Sequence, residues 1–557
     1  MNLAPSRVIL WLTILVLGGP VLAGLAGVVS GAFGYVPGLQ SAIPIGKVWA
    51  LVLGWPGIGR SVGISFWTGL LAAGLSLAAA TLIMAGWSGT RAFGRLRAWL
   101  APFLAIPHAA TAFGIAFLIA PSGWIVRAIS PWATGWDRPP DILILGDPLG
   151  LALVLGLVVK ELPFLLLMMI AALPQAAPAP RLSVMVTLGY GRVRGWLVAV
   201  FPAVYRQVRL PVYVVLAYSM SAVDAALILG PTTPPPLAIV ILRWAADPDL
   251  AQRALASAGA LVQLGLVLAG LAFWRLGELA AAALGHRIAQ TGARGAGRSA
   301  EAAGVAVAAI GGKLLMAGIA ILALWSVAGQ WPFPDFLPAS LSARTWAAHG
   351  SGIAAVGIST IALALGVTAA ALVLAMGSLE ARPPRHLLAA LIYLPLLVPQ
   401  VVFLPGLQVA FLSVGLNAGP WPVSLSHLVF VLPYLLLILA DPYHALDPRY
   451  RIVAAGLGLS PARQFWRLRL PLLSLPIAGA VAVGMAVSVG QYLPTLLSSG
   501  GRLPTLTTEA LALAAGGDRR VIGAYALAQA LAALLPFALA LVLPRLIWRN
   551  RRGMLHG

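Results

Sequence analysis

The chain has 557 residues, of which 60% are hydrophobic and only 9% are charged, with a formal net charge of +21 and no cysteine. A soluble domain is about 25% charged. So large an apolar fraction excludes a water-soluble fold and implies an all-α, polytopic membrane protein. Without cysteine there are no disulfides, no thiol catalysis and no Cys-ligated metal site.

A spanning helix needs about 20 mainly apolar residues. In chain order such runs fall at residues 8–29, 61–86, 100–120, 149–173, 208–230, 255–275, 305–328, 353–377, 387–411, 425–441, 470–495 and 521–547, the run at 425–441 being short. The expectation is about 12 transmembrane helices. Met1–Arg7 leads straight into the first run with no clear small-residue cleavage site, so that run reads as a spanning helix and not as a cleaved leader.

With both termini in the cytoplasm, nearly all of the excess positive charge falls on the inner side, in clusters such as Arg91/Arg95/Arg97, Arg181–Arg209, Arg275–Arg298 and Arg449–Arg469. The charge therefore follows topology and does not mark a nucleic-acid face.

The polar, basic stretch 286–304 divides the chain into a first half, 1–285, and a second half, 305–557, each with six runs. VGIS at Val62–Ser65 recurs at Val356–Ser359. IPHAATAFGIAFL at Ile106–Leu118 resembles VPQVVFLPGLQVAFL at Val398–Leu412. ELPFLLLMMIAALP at Glu161–Pro174 resembles VLPYLLLILADPY at Val431–Tyr443. An even number of spans separates the copies, so the six-helix repeats are parallel and not inverted.

The most informative repeat lies on the inner side. VAAGLGLSPARQFWRLRLPLL (Val453–Leu473) has a counterpart in VTLGYGRVRGWLVAVFPAVY (Val186–Tyr205). Gly189 matches Gly458, Arg194 matches Arg463, Trp196 matches Phe465, Leu197 matches Trp466 and Pro202 matches Pro471, with the same Gly-to-Pro spacing. Ser460-Pro461 is a helix start, and Pro471 stops or kinks the pattern before the next span. Each copy reads either as an amphipathic helix on lipid headgroups or as a short helix whose exposed aromatic docks in a partner's groove. Recurrence at matching positions favours docking.

This pattern resembles the cytoplasmic loop of ABC importer permeases, whose consensus is Glu-Ala-Ala, three residues, Gly, nine residues and Ile-x-Leu-Pro. Gly458 and Leu468-Arg469-Leu470-Pro471 fit it, as do Gly189 and Ala199-Val200-Phe201-Pro202 with weaker residues. Ile452-Val453-Ala454 and Ser183-Val184-Met185 stand at the Glu-Ala-Ala positions, so the acidic residue is missing twice. The resemblance implies a fused permease in a bacterial inner membrane. It implies coupling helices that sit on two copies of a separate P-loop ATPase, and a periplasmic or extracellular substrate-binding protein as a further partner. Fused permeases of this size look most like those for thiamine or ferric iron, and DAALILGPTTPPPLAIVI (Asp224–Ile241) looks like a Ynj-type branch of that group.

No G-x-x-x-x-G-K-[ST] loop is present to cradle ATP, and no His/Asp/Glu cluster has metal-ligand spacing. The expectation is a transport subunit with no ATPase site, no catalytic residue, no cofactor and no metal.

Charged groups inside a membrane are costly unless they face water or a partner. Asp224 reads as deep in the fifth span, and Gln491, with Ser488 and Tyr492 nearby, stands in the matching region of the second half. They are either pathway lining or interhelical glue. His108 after Pro107 and Gln400 after Pro399 mark a kinked helix in each half, a gate region unless His108 is a satisfied core histidine. Lys160 and Glu161 read as structural, each pairing with another span, and Lys313 as snorkelling. Acids and aromatics in the outer stretches Gly135–Gly150 and Arg243–Arg253 read as solvated loops or as the place where a binding protein docks. The alternative from another class is an ion-coupled secondary transporter using Asp224.

Overall fold

The computed structural model describes residues 4–37, 42–290, 298–547 and 549. The linker 286–304 lies in part outside them. Among the described residues there is no strand, only an isolated bridge between Ala328 and Leu341. The first part holds α1 (Ala4–Ala32), α2 (Ile45–Leu53), α3 (Ile58–Trp87), α4 (Arg91–Ala105), α5 (His108–Ile119), α6 (Trp124–Ile129), α7 (Leu151–Ala176), α8 (Pro178–Thr187), α9 (Arg192–Ala199), α10 (Phe201–Ser219), α11 (Asp224–Leu229), α12 (Leu237–Ala246) and α13 (Gln252–Gln290). The second holds α14 (Arg298–Ser326), α15 (Arg344–Glu380), α16 (Arg385–Leu397), α17 (Gln400–Ser413), α18 (Pro420–Ala445), α19 (Pro448–Gly456), α20 (Pro461–Gln464), a π-helical turn (Phe465–Arg469), α21 (Leu470–Leu472), α22 (Ser474–Val489), α23 (Leu493–Ser499), α24 (Leu506–Ala514) and α25 (Arg519–Ile547).

The protein is an all-α membrane bundle. Among the described residues nine helices are long and apolar enough to cross a membrane, and two bent pairs raise the number to 11. The expected twelve are thus not all continuous spans. The run 100–120 is broken at Ile106–Pro107. The run 208–230 ends as a helix at Ser219, and α10, with Arg206 and Arg209 in its first half, is not among the spans. The run 470–495 bends by 76° after Leu472. The short run at 425–441 grows into the 26-residue α18.

Two buried clusters flank a shared core. One gathers α3, α7, α9 and α10, with Trp196 at its base. The other gathers α15, α16 and α18 with Leu17 of α1. The shared core joins α5, α12, α13 and α14 to α1, α17 and α25. The outward faces remain apolar, as with Trp11, Leu15 and Leu22 on α1 and Ile358, Leu365 and Val373 on α15. Such faces suit lipid and would not suit water.

Candidate functional site

Four helix breaks meet around one cavity of about 250 Å³. Proline creates two of them. Pro107 before α5 and Pro399 before α17 have no N–H to donate, and each forces its predecessor out of helical geometry: Ile106 and Val398 are extended, with ψ 124 and 116. The other two breaks lie between α10 and α11, at Met220–Val223, and between α22 and α23, at Gly490–Tyr492. Asp224 is therefore the first residue of α11 beside a break, and not a residue deep in a continuous span.

His108, Asp224, Gln400 and Gln491 all line this cavity, together with Lys160, Glu161, Tyr218, Tyr434 and Tyr492. Ser488 does not; its hydroxyl lies 2.9 Å from His427 Nδ1, behind the lining. His108 Nε2 meets Glu161 Oε1 at 3.0 Å. Lys160 Nζ donates to the carbonyls of Leu104, at 2.9 Å, and Ile106. Adjacent residues on a helix point in different directions, so Lys160 holds the end of α4 while Glu161 holds the start of α5. The Tyr218 hydroxyl donates to Asp224 Oδ1 at 3.1 Å, as does the Ala225 N–H at 2.9 Å. Gln400 Nε2 donates to Gln491 Oε1 at 3.4 Å. Lys160 and Glu161 thus do pair with neighbouring elements, and they also face the cavity.

A broken helix in an apolar bundle orphans backbone groups that must be satisfied internally. Gln263 on α13 donates to the Met220 carbonyl at 3.1 Å. Gln529 on α25 donates to Thr507, which donates to the Val489 carbonyl. Ser65 on α3 accepts the first N–H of α12 from Leu237 at 2.9 Å, and Thr360 on α15 accepts that of α24 from Leu506 at 2.9 Å. These residues escaped the sequence reading, as did Tyr218 and Tyr434, whereas Tyr492 lines the cavity as expected of the polar region around Gln491. The available signals were lone amides within apolar runs and the Phe164/Tyr434 match after each Leu-Pro.

The two Gly-to-Pro segments fold alike at their start. Gly189 and Gly458 have φ of +79 and +77, where a side chain would be strained. In each copy the glycine and its successor donate back into the preceding helix: Gly189 to Val186 and Tyr190 to Met185, Gly458 to Ala455 and Leu459 to Ala454. This is a Schellman-type stop. The Ser460 hydroxyl accepts from Arg463 N–H, so the expected cap forms. The helix then runs through the π turn Phe465–Arg469, carries Pro471 within α21 and bends at Leu473, two residues later than expected.

The aromatic positions correct the docking expectation. Trp196 is 0% exposed and packs on Phe201 with ring centroids 6.1 Å apart, and Phe465 is half-buried. They anchor the segments inward. Their successors Leu197 and Trp466 face outward, at 37% and 68% exposure. Val184, Leu188 and Leu197 in the first copy match Val453, Leu457 and Trp466 in the second, and all six are exposed. Arg194 is half-buried and Arg463 exposed. Arg192 ties the first segment to the end of α3, donating to the carbonyls of Ala85, at 3.4 Å, and Ser88. Arg469 ties the second to Glu380 at the end of α15 and to the Tyr443 hydroxyl.

A helical membrane bundle broken around a largely apolar cavity with a few inward polar groups, with a glycine-bent segment exposing apolar residues in each part, has the make-up of a permease subunit. Comparison with known proteins gives the family. The chain is 32% identical over 492 residues to the inner membrane ABC transporter permease protein YnjC of Escherichia coli (strain K12), covering 87% of this chain and 88% of that one. It belongs to the ABC transporter permeases and is a multi-pass membrane protein. Shorter matches are to the spermidine/putrescine transport system permease protein PotC homolog of Mycoplasma genitalium, 32% identical over 18% of this chain and 34% of that one, and to the molybdenum transport system permease protein ModB of Mycobacterium bovis, 33% identical over 21% and 48%. These names carry neither thiamine nor iron. No family model matches the chain, and no solved structure matches it.

Proposed function

We propose that the chain is the fused membrane subunit of an ABC importer, its halves 1–285 and 305–557 joined by a cytoplasmic linker. Both termini are cytoplasmic and the membrane is a bacterial inner membrane. Two copies of a separate P-loop ATPase dock on the two bent segments, and a substrate-binding protein delivers solute from outside, against loops such as Gly135–Gly150. The observation that carries this reading is the matched pair of exposed patches, each bent by a left-handed glycine and each tied by an arginine to the end of an equivalent helix. A groove on an ATPase would cover Leu197 and Trp466. Closure of the ATPases would then pull on α3 through Arg192 and on α15 through Arg469. The ends of those helices lead to the breaks around the cavity, where His108, Asp224, Gln400 and Gln491 line the path. The chain itself is a conduit and not a hydrolase.

The test is affinity purification of the tagged full chain from its native membrane. The wild-type chain is expected to bring down a P-loop ATPase. The variant Leu197→Glu/Trp466→Glu is expected to insert and elute normally but to lose it. Retention of the ATPase by that variant would place docking elsewhere.

A further inference from the structure

The cavity's chemistry narrows the class of solute, an inference that rests on the cavity being the permease's path. Among the described residues no arginine lines it, and its one lysine is directed at the backbone carbonyls of Leu104 and Ile106. The Glu161 carboxylate is engaged by His108. Asp224 differs. Its Oδ1 takes both donors, the Tyr218 hydroxyl and the Ala225 N–H, while Oδ2 has no hydrogen-bond partner among the described residues. Tyr218, its hydrogen-bond partner, shares the cavity wall with the rings of Tyr434, Tyr492, Phe164 and Phe430.

An oxyanion entering here would meet two carboxylates and no uncommitted cationic donor, in surroundings where charge is weakly screened. A bare metal ion needs several converging ligands, and among the described residues no group of three or more acidic or His side chains could supply them. An available carboxylate oxygen beside aromatic rings attracts an organic cation, and the apolar remainder of the wall, including Val214, Val483 and Leu437, suits a carbon body. We propose that the cavity accepts an organic cation, an ammonium or a charged heterocycle, with its positive charge beside Asp224 and its body against Tyr218, Tyr434 and Tyr492.

The test uses the full chain in lipid nanodiscs with tetraethylammonium and sulfate as probes, read by equilibrium dialysis. Tetraethylammonium is expected to bind and sulfate neither to bind nor to compete. Asp224→Asn is expected to weaken the cation by at least about tenfold. Tyr434→Phe, which keeps the ring, is expected to bind as wild type, and Tyr434→Leu to bind more weakly. The Tyr434 pair carries the test if Asp224→Asn fails to fold. Sulfate binding, no tetraethylammonium binding, or cation binding indifferent to both Asp224→Asn and Tyr434→Leu would overturn the proposal. None of those outcomes touches the permease reading, which the ATPase purification decides separately.

Discussion

Gly114 on α5 and Gly318 on α14 meet backbone to backbone: a Cβ on Gly114 would lie 2.8 Å from the Gly318 Cα. The same contact recurs where Gly406 on α17 meets Gly24 on α1, a Cβ on Gly406 falling 2.0 Å from the Gly24 carbonyl oxygen. The first helix of each part therefore packs on the other part, at the helix that starts from the proline break. Small residues permit this approach in a membrane, where close packing drives helix association.

That contact makes a prediction. Gly114→Ala and Gly406→Ala are expected to cost about 1–3 kcal/mol each through overpacking, seen as a lower unfolding temperature in detergent. Gly74→Ala on α3, where a Cβ meets nothing within 4 Å, is expected to leave it unchanged or raised.

Lys160 and Glu161 hold the two sides of the α4–α5 break. Glu161→Gln is expected to destabilise by about 3–5 kcal/mol by leaving buried charge uncompensated. Adding Lys160→Met is expected to cost less than the sum of the single changes. Thermal unfolding of the four chains gives the coupling; additivity would mean that the two residues act independently.

Trp196 and Trp466 should behave oppositely. Trp196→Ala empties a fully buried site and is expected to cost about 3–5 kcal/mol. Trp466→Ala, on an exposed position, is expected to stay within about 0.5 kcal/mol and to weaken ATPase retention. Circular dichroism melts and co-purification separate the two effects.

Arg469 links the second segment to Glu380 and Tyr443. Arg469→Met is expected to keep the ATPase bound while uncoupling it, so that ATP is hydrolysed with little substrate movement. Loss of the ATPase from this variant would mean that the arginine supports docking itself.

Much of this was readable in the residues. Pro107 and Pro399 mark their breaks because proline lacks an N–H and pushes its predecessor out of helical geometry, although Pro163 and Pro433 sit inside unbroken helices, and Gly189 and Gly458 mark their turns because the backbone there needs a positive φ. The break before Asp224 was not readable. The run from Ala217 to Val223 contains neither glycine nor proline, and what ends the helix there is tertiary: the Gln263 amide taking the Met220 carbonyl from a distant helix. The burial of Trp196 escaped for a related reason. An eight-residue helix with Trp196 beside Leu197 offers two apolar faces, and it is tertiary packing, in which Trp196 joins the cluster of α3, α7 and α10 and meets Phe201, that turns one inward.

The central claim is that ATP moves the two bent segments. Thr187 and Gly456 occupy equivalent exposed positions on α8 and α19, and the chain has no cysteine to interfere. Thr187→Cys/Gly456→Cys, spin-labelled in the complex with its co-purified ATPase, reports the distance between the segments. The account predicts that this distance shortens when ATP is bound and returns after hydrolysis. A distance indifferent to nucleotide, changing only under a proton or sodium gradient, would contradict it.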